Sequence, residues 1–198
     1  VKAGGISLSD TFAFTGTVTG TPNDMVKIST TTISSAVATV EFTSLDNSTF
    51  PVHVVHMQNV ELVANNKEFC CQVGTDSAYR TDNYRTTGVA GRAGATTIDG
   101  VSNHTSSEIK LGGTFTQGQA SYGNFSGFIF FYNMADTEQY STNYLVHGSF
   151  PQDSAYVVHT NLSGRNGASE AHTKVKFGNL TSDSNMSSGT FTLYGMKA

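Results

Sequence analysis

The feature that most constrains this chain is a period-two alternation of apolar and polar residues, which recurs in short runs from Met25 onward. Such alternation is typical of β-strands with one buried face, and no segment keeps the 3.6-residue apolar period of an amphipathic helix. Clusters of Asp, Asn, Ser and Gly separate the runs and supply turn residues. The pattern predicts an all-β protein, an antiparallel β-sandwich with jelly-roll-like topology.

The runs with the clearest alternation give about nine predicted strands, which are enough for two sheets. They lie at 36–43, 52–63, 67–74, 109–116, 126–133, 144–150, 155–162, 174–180 and 189–196. Residues 76–106 are less regular and rich in Gly, Ala and Thr, so we interpret them as a long crossing loop with room for one irregular strand.

The first 22 residues differ from the rest and predict a separate N-terminal arm. They combine short apolar runs with glycines, and such a segment cannot build a core alone. Residues 1–22 are therefore predicted to anchor and trimerise the protein, and residues 23–198 to form the sandwich domain. The candidate assembly residues of the arm are its large apolar side chains, Ile6, Leu8, Phe12, Phe14 and Val18.

Charge and hydropathy argue against several classes of protein. The net charge is −4, and the Lys and Arg residues are scattered singly, which disfavours nucleic-acid binding. The longest apolar stretch, Phe128 to Tyr132, falls far short of the roughly 20 residues of a membrane helix, so no membrane insertion is expected. The first residues lack the apolar region of a signal peptide. Cys70 and Cys71 are adjacent in a predicted strand, so we expect two free thiols and folding in a reducing bacterial cytoplasm.

No constellation points to catalysis, to a metal or to a cofactor. His53 and His56 would lie on opposite faces of one strand, so they do not predict a shared metal ion. Neither a Gly-x-Ser-x-Gly elbow nor a cysteine near a basic histidine is present locally. Asp136 and Glu138 in a polar loop are more typical of a solvated pair than of glycosidase carboxylates. The sequence predicts a protein that is not an enzyme and that carries no cofactor.

Aromatic residues give the strongest hint of a binding surface. The chain has eight Tyr and thirteen Phe but no Trp. Tyrosines mixed with Asn, Thr and Arg are able to stack on sugar rings while amides bind the hydroxyls. The candidate ligand or receptor contacts are Tyr79, Arg80, Tyr84, Arg85, Tyr122 and Tyr140. We also expect Tyr144 to be exposed with them.

Several motifs, in order along the chain, resemble those of virion surface proteins of tailed phages. The segment from Ser188 to Lys197 is similar to the closing strand of that group, which has the pattern Gly-Thr-Phe-x-Leu-Tyr-Gly-hydrophobic-Lys. Further matching pieces are Ala38–Thr43, Gly127–Asn133, Lys174–Phe177 and the N-terminal Ile6–Ser9 with Thr15–Gly20. The loop Gly74–Ala78 departs from the Ser-Thr-Asp-Gly-Gly turn of such relatives. The resemblance implies a trimeric β-sandwich of fibres, tail tips or capsid decorations, with no catalytic residues.

The sequence thus predicts a non-enzymatic phage structural protein, displayed on the virion surface as a homotrimer. Its expected partners are its own copies and other virion proteins of the capsid or tail, and head and tail locations stay equally open. The alternative is a carbohydrate-binding module that recognises host-surface glycans, and both functions are compatible in one receptor-binding fibre. A glycan depolymerase is a third hypothesis, disfavoured because few acidic residues lie in apolar context.

Overall fold

A computed structural model describes residues 2–3, 6–7, 25–94, 98–117, 124–138, 140, 142–152, 156–180 and 184–197 of the chain. Every regular element within these ranges is a β-strand, and each strand pairs with its neighbours in antiparallel fashion. The predicted all-β fold of two antiparallel sheets is confirmed. The finer expectation of jelly-roll connections stays a prediction.

The strands form one small hairpin and two larger sheets. The strands are β1 (Lys2–Ala3), β2 (Ile6–Ser7), β3 (Met25–Ile33), β4 (Thr39–Phe42), β5 (Val52–Leu62), β6 (Cys70–Gly74), β7 (Tyr84–Arg92), β8 (Ile98–Ser106), β9 (Ile109–Lys110), β10 (Phe125–Tyr132), β11 (Asn143–Pro151), β12 (Val157–Asn166), β13 (Lys174–Gly178) and β14 (Met186–Met196). The large sheet has the order β3-β14-β5-β10-β11-β12-β7-β8, and the small sheet has the order β4-β13-β6-β9. Strands β1 and β2 pair with each other.

Aromatic side chains from both sheets fill the core. Phe125 of β10 and Phe191 of β14 reach inward from the large sheet, while Phe177 of β13 and the nearby Phe69 reach from the small one. The ring centroids of Phe69 and Phe125 lie 5.3 Å apart, and those of Phe177 and Phe191 lie 5.5 Å apart. Full burial of each such side chain stabilises the fold by roughly 1.5–3 kcal/mol, so this cluster ties the sheets together.

Strand β14 is an interior strand of the large sheet. It pairs with β3 on one side, from Met25 to Ile33, and with β5 on the other, from Val52 to Leu62. Its Phe191 and Leu193 enter the core. The segment that carries the phage resemblance near residue 190 is therefore the bridge between the early strands β3 and β5.

The interpretation of residues 76–106 as a crossing loop is wrong, because β7 and β8 form a hairpin there at the edge of the large sheet. Strand β3 was not predicted either. The predicted strand at 109–116 is wrong beyond Lys110, since the chain turns at Gly112 and Gly113, and Gly113 has a φ of 66°. The missed strands share a cause, because Thr, Ser and Gly interrupt the apolar alternation in β3, β7 and β8.

The N-terminal arm falls mostly outside the described residues. Ile6 belongs to β2, whereas Leu8, Phe12, Phe14 and Val18 lie outside the described ranges. The boundary between residues 22 and 23 stays a prediction.

Cys70 and Cys71 are both buried and both free, as expected. Burial raises the pKa of each thiol well above its usual range. The described residues contain no helix that is long and apolar enough to cross a membrane.

Candidate functional site

The outer face of the large sheet carries a row of aromatic rings along β10. Because side chains alternate along a strand, Ile129 and Phe131 point into the core while Phe128, Phe130 and Tyr132 point outward. Phe128 stacks on His56 of β5, with centroids 4.3 Å apart, and Phe130 stacks on Tyr132 at 6.3 Å. We call His56, Phe128, Phe130 and Tyr132 the aromatic strip. Phe128 keeps 38% of its surface exposed, so the strip is open to solvent in the single chain.

A groove of about 600 Å³ begins where the aromatic strip ends, at Tyr132. It crosses β7, β8, β10, β11 and β12 at one end of the large sheet, and we call it the arginine groove. Its lining comprises two arginines, small hydroxyl and amide side chains, one histidine, two tyrosines and one leucine. These residues are Arg85, Thr86, Thr87, Ser102, Asn103, His104, Tyr132, Asn143, Tyr144, Leu145, Ser163, Gly164 and Arg165. A volume of this size is typical of small-ligand sites.

The two arginines of the groove are direct cross-strand neighbours. Arg85 of β7 is in register with Arg165 of β12, so both side chains leave the same face of the sheet. The ring of Tyr140 lies against both: its centroid is 4.3 Å from the Arg165 guanidinium carbon and 5.2 Å from that of Arg85. The aromatic face attracts each cation and holds the pair side by side.

The core side of the sheet fixes the backbone of Arg85. The Tyr144 hydroxyl donates a hydrogen bond to the Arg85 carbonyl at 3.0 Å and lies 2.5 Å from Thr86 Oγ1. Gly164 makes this contact possible, because a Cβ at that position would overlap both the Tyr144 hydroxyl and the Arg85 carbonyl. Tyr144 is 2% exposed, so the expectation that it lies on the surface is wrong, and burial raises its pKa.

The backbone that follows Arg165 is also held in place by buried contacts. The next residue, Asn166, is fully buried and donates from Nδ2 to the Asp82 carbonyl at 3.0 Å. Gly167 follows, and a Cβ there would lie 2.8 Å from the Tyr140 ring, so glycine leaves the space that the ring needs. Tyr140 itself adopts a φ of 68°, a left-handed conformation that is uncommon for a bulky residue. The arginines and the tyrosine therefore sit on a rigid frame.

The predicted contact residues separate into several places. Arg85 lines the arginine groove together with Arg165, which the sequence did not indicate, and Tyr140 packs against both arginines. Tyr84 is fully buried, with its hydroxyl accepting the Val73 N–H at 2.9 Å, so the expectation of an exposed contact is wrong for it. Tyr122 lies outside the described residues.

Tyr79 belongs to the small sheet, away from the groove. Its hydroxyl donates to Glu41 Oε2 at 2.9 Å, and its ring has Lys174 Nζ at 4.5 Å and Lys176 Nζ at 4.3 Å from the centroid. Partial burial and the Glu41 carboxylate raise the pKa of Tyr79. We call Tyr79, Glu41, Lys174 and Lys176 the lysine cluster; its positive charges have a carboxylate beside them.

Arg80 is engaged within the protein. Its guanidinium binds both carboxylate oxygens of Glu170, which lowers the pKa of that carboxyl. His172 is fully buried, with Nδ1 2.9 Å from Thr142 Oγ1. His172 Nε2 lies 3.4 Å from Glu170 Oε1 without the geometry of a hydrogen bond. Burial lowers the pKa of His172 to about 4, so this histidine is neutral at pH 7 and the contact is no ion pair.

A partly buried cluster of two glutamates and a cysteine lies beside strands β6 and β9. Ligand atoms of Glu68, Cys70 and Glu108 lie within 4.8 Å of one another, a spacing that would suit a metal ion. However, Lys110 Nζ already sits 2.7 Å from Glu68 Oε1, and burial raises the pKa of the Cys70 thiol, which keeps its proton. The lysine supplies the positive charge that a metal would bring.

Neither the pair His53 and His56 nor the pair Asp136 and Glu138, which the sequence analysis considered, has the geometry of a site. His53 is buried while His56 faces outward in the aromatic strip, as strand alternation predicts. Asp136 accepts the Glu138 backbone N–H at 2.8 Å, and both residues are exposed in a turn. This contact is turn chemistry, in which an Asp side chain caps the backbone two residues on.

Comparison of the chain with protein-family models, with curated proteins and with solved structures yields no match. The resemblance to phage virion proteins accordingly stays a prediction.

Proposed function

We propose that this protein is a non-enzymatic structural module of a tailed-phage particle, displayed on the virion surface as a homotrimer. The observation that carries the proposal is the aromatic strip on the outer face of the large sheet. Soluble monomers seldom leave contiguous aromatic surface open, and such patches mark contacts with other proteins. A second copy of the chain, or a neighbouring virion protein, would cover the Phe128 end of the strip and remove that side chain from water, while Tyr132 at the other end stays in the lining of the arginine groove.

Low surface charge supports the same assignment. Only 13% of the residues are charged, and several of the described charges are already paired internally, as for Arg80 with Glu170 and Lys110 with Glu68. Protein–protein interfaces are depleted of charged residues at their centre and enriched in aromatic ones. The outer face of β10 has this composition.

Sedimentation equilibrium of the purified chain tests the assembly. We expect a trimer, and we expect Phe128→Glu to shift it towards the monomer, because a carboxylate would have to be buried in the interface. Val63→Glu is the matched control, since Val63 is 50% exposed in the loop after β5, outside the strip. A wild-type chain that stays monomeric at every concentration would contradict the proposal.

Immunogold labelling of intact particles tests the location. Label over the whole head indicates a capsid decoration, and label confined to the tail indicates a fibre or tail-tip protein. Particles that carry no label at all would contradict the virion assignment.

Recognition of a host-surface glycan is the second candidate function, and the arginine groove favours it. The groove is preformed, has the volume of a small-ligand site and combines a tyrosine face with hydroxyl and amide groups. Glycan-array binding by the trimer tests this function. Cleavage of a bound glycan, detected as new reducing ends, would instead support the depolymerase hypothesis.

A further inference from the structure

We propose that the arginine groove binds a sugar unit that carries an anionic group, with Arg85 and Arg165 gripping the anion against Tyr140. This inference rests on the proposed glycan recognition and deepens it by naming the class of ligand. The sugar's carboxylate or phosphate oxygens would accept hydrogen bonds from the two guanidinium forks, a geometry that arginine satisfies in bidentate fashion.

The first argument is electrostatic. Like charges directly opposite each other on neighbouring strands repel, and Arg85 and Arg165 occupy such a pair. Within the part of the chain that the structure describes, neither guanidinium has a carboxylate partner, and the lining of the groove contains no Asp or Glu. Arg80, five residues before Arg85, is by contrast fully engaged by Glu170. An anionic ligand would relieve the repulsion that the fold leaves in place.

The second argument is the conformation of Tyr140. A left-handed φ costs a bulky residue of order 1–3 kcal/mol and tends to be kept where a ligand needs it. At Tyr140 this conformation places the ring against both guanidiniums, and Gly167 supplies the space. The ring therefore orients the two cations before any ligand arrives, which lowers the entropic cost of binding.

The rest of the lining favours a saccharide. Tyr132 offers an aromatic face at one end of the groove, and Ser102, Ser163 and Asn143 bring hydroxyl and amide groups to its floor. Sugar rings combine apolar faces with hydroxyls, so they match this mixture. A nucleic acid does not, because the basic groups stop at two arginines and the chain has a net charge of −4.

Calorimetric titration of the assembled, full-length protein tests the proposal with three probes of equal length. These are an oligogalacturonate, the corresponding neutral galacto-oligosaccharide, and a galacto-oligosaccharide that carries phosphate. We expect one or both anionic probes to bind, the neutral probe to bind at least about ten-fold more weakly, and added salt to weaken the anionic interaction. The stronger anionic probe identifies whether the ligand is a carboxylate or a phosphate sugar.

Three variants locate the interaction. Arg165→Gln should weaken anionic binding by about 10- to 100-fold, because a charged hydrogen-bond partner is lost. Arg165→Lys, which keeps the charge but not the fork, should give an intermediate loss, and thermal unfolding checks that both variants fold. Lys176→Gln is the matched control: it removes one positive charge from the lysine cluster on the small sheet and should leave the affinity unchanged.

Equal binding of neutral and anionic probes, unaffected by Arg165→Gln, would overturn the inference and leave glycan recognition standing. Binding of polyglutamate as tight as that of the uronate would overturn the saccharide assignment. Failure of every saccharide to bind would overturn both the inference and the glycan-recognition function.

Discussion

Two tyrosines in this protein each contact two cations, and the two sites differ in the carboxylate that accompanies them. Tyr79 has Lys174 and Lys176 over its ring and a carboxylate, Glu41, on its hydroxyl. Tyr140 has two arginines at similar distances, and among the described residues no carboxylate lines the groove that the arginines share. In the lysine cluster the Glu41 carboxylate offsets one of the two positive charges. The arginine groove keeps both of its positive charges, and this difference is the reason that we propose it as the site for an anionic ligand.

The largest expected effect comes from the frame beneath the arginines. Gly164→Ala should lower the free energy of unfolding by about 3 kcal/mol, because the new methyl group overlaps the Tyr144 hydroxyl and the Arg85 carbonyl. Gly91→Ala, on the neighbouring β7, is the control, since a Cβ there meets nothing within 4 Å. Chemical denaturation measures both. Equal stabilities of the two variants would show that the groove floor accommodates the extra methyl group. The groove would then be no more rigid than the lysine cluster.

The next largest effect should be a pH dependence of stability that comes from His172, which lies just before β13, the strand of Lys174 and Lys176. Its folded pKa of about 4 lies below the ordinary value of 6.5, so the unfolded chain binds more protons between these values. Stability is therefore complete above pH 6.5 and falls by about 3 kcal/mol as the pH drops to 4 and below. Burial lowers the pKa of His53 too and adds in the same direction.

Denaturation at a series of pH values, compared between the wild type and His172→Gln, measures the contribution of His172. A variant with the same pH slope as the wild type would show that His172 is not the source.

A smaller effect should come from unbalancing the lysine cluster. Glu41→Gln removes the carboxylate beside Tyr79, and we expect a loss of stability of about 0.5 kcal/mol, the usual scale for exposed charge pairs. The comparison also predicts that the freed lysines gain weak affinity for the oligogalacturonate. A variant that binds the uronate as well as the arginine groove does would show that rigid, forked arginines are unnecessary.

The smallest effect should come from the reciprocal change, Ser163→Glu. Residue 163 lies two positions before Arg165 on the same face of β12, so the new carboxylate would sit among the arginines. We expect a gain in stability of about 0.3 kcal/mol and a loss of anionic ligand binding, because the new carboxylate offsets one of the two positive charges and competes with the ligand for the arginines. Undiminished binding in calorimetry would contradict the role given to the uncompensated arginines.

More of the fold than of the candidate site could be predicted from the sequence. The apolar pattern of β10 and β14 was sufficient for the sandwich, because Phe and Leu alternate with polar residues in β14 and β10 carries a short continuous apolar run. Strand β7 escaped notice because Thr86 and Gly88 stand where large apolar residues would mark the core face. The burial of Thr86 depends on the neighbouring strand and on no local pattern.

The arginine pair escaped prediction for a related reason. Arg85 and Tyr140 were candidates as individual residues, whereas Arg165 lay in a Ser, Gly and Asn cluster that suggested a turn. In the structure β12 continues through Asn166, and the register with β7 sets Arg165 opposite Arg85. Eighty residues separate the two along the chain, so their meeting is a property of strand pairing that no single segment encodes.

The interior position of β14 has a consequence for how the protein is made. Strands β3 and β5 leave the ribosome early, yet the strand that joins them spans Met186–Met196, more than 120 residues after β5. The large sheet thus cannot be completed during synthesis, because β3 and β5 each lack their β14 partner until residues 186–196 have been made. Folding through such distant pairings is slow, and open edges invite wrong partners. Chains cut short before Met186 should therefore aggregate rather than fold, so that only chains that contain β14 reach the folded state.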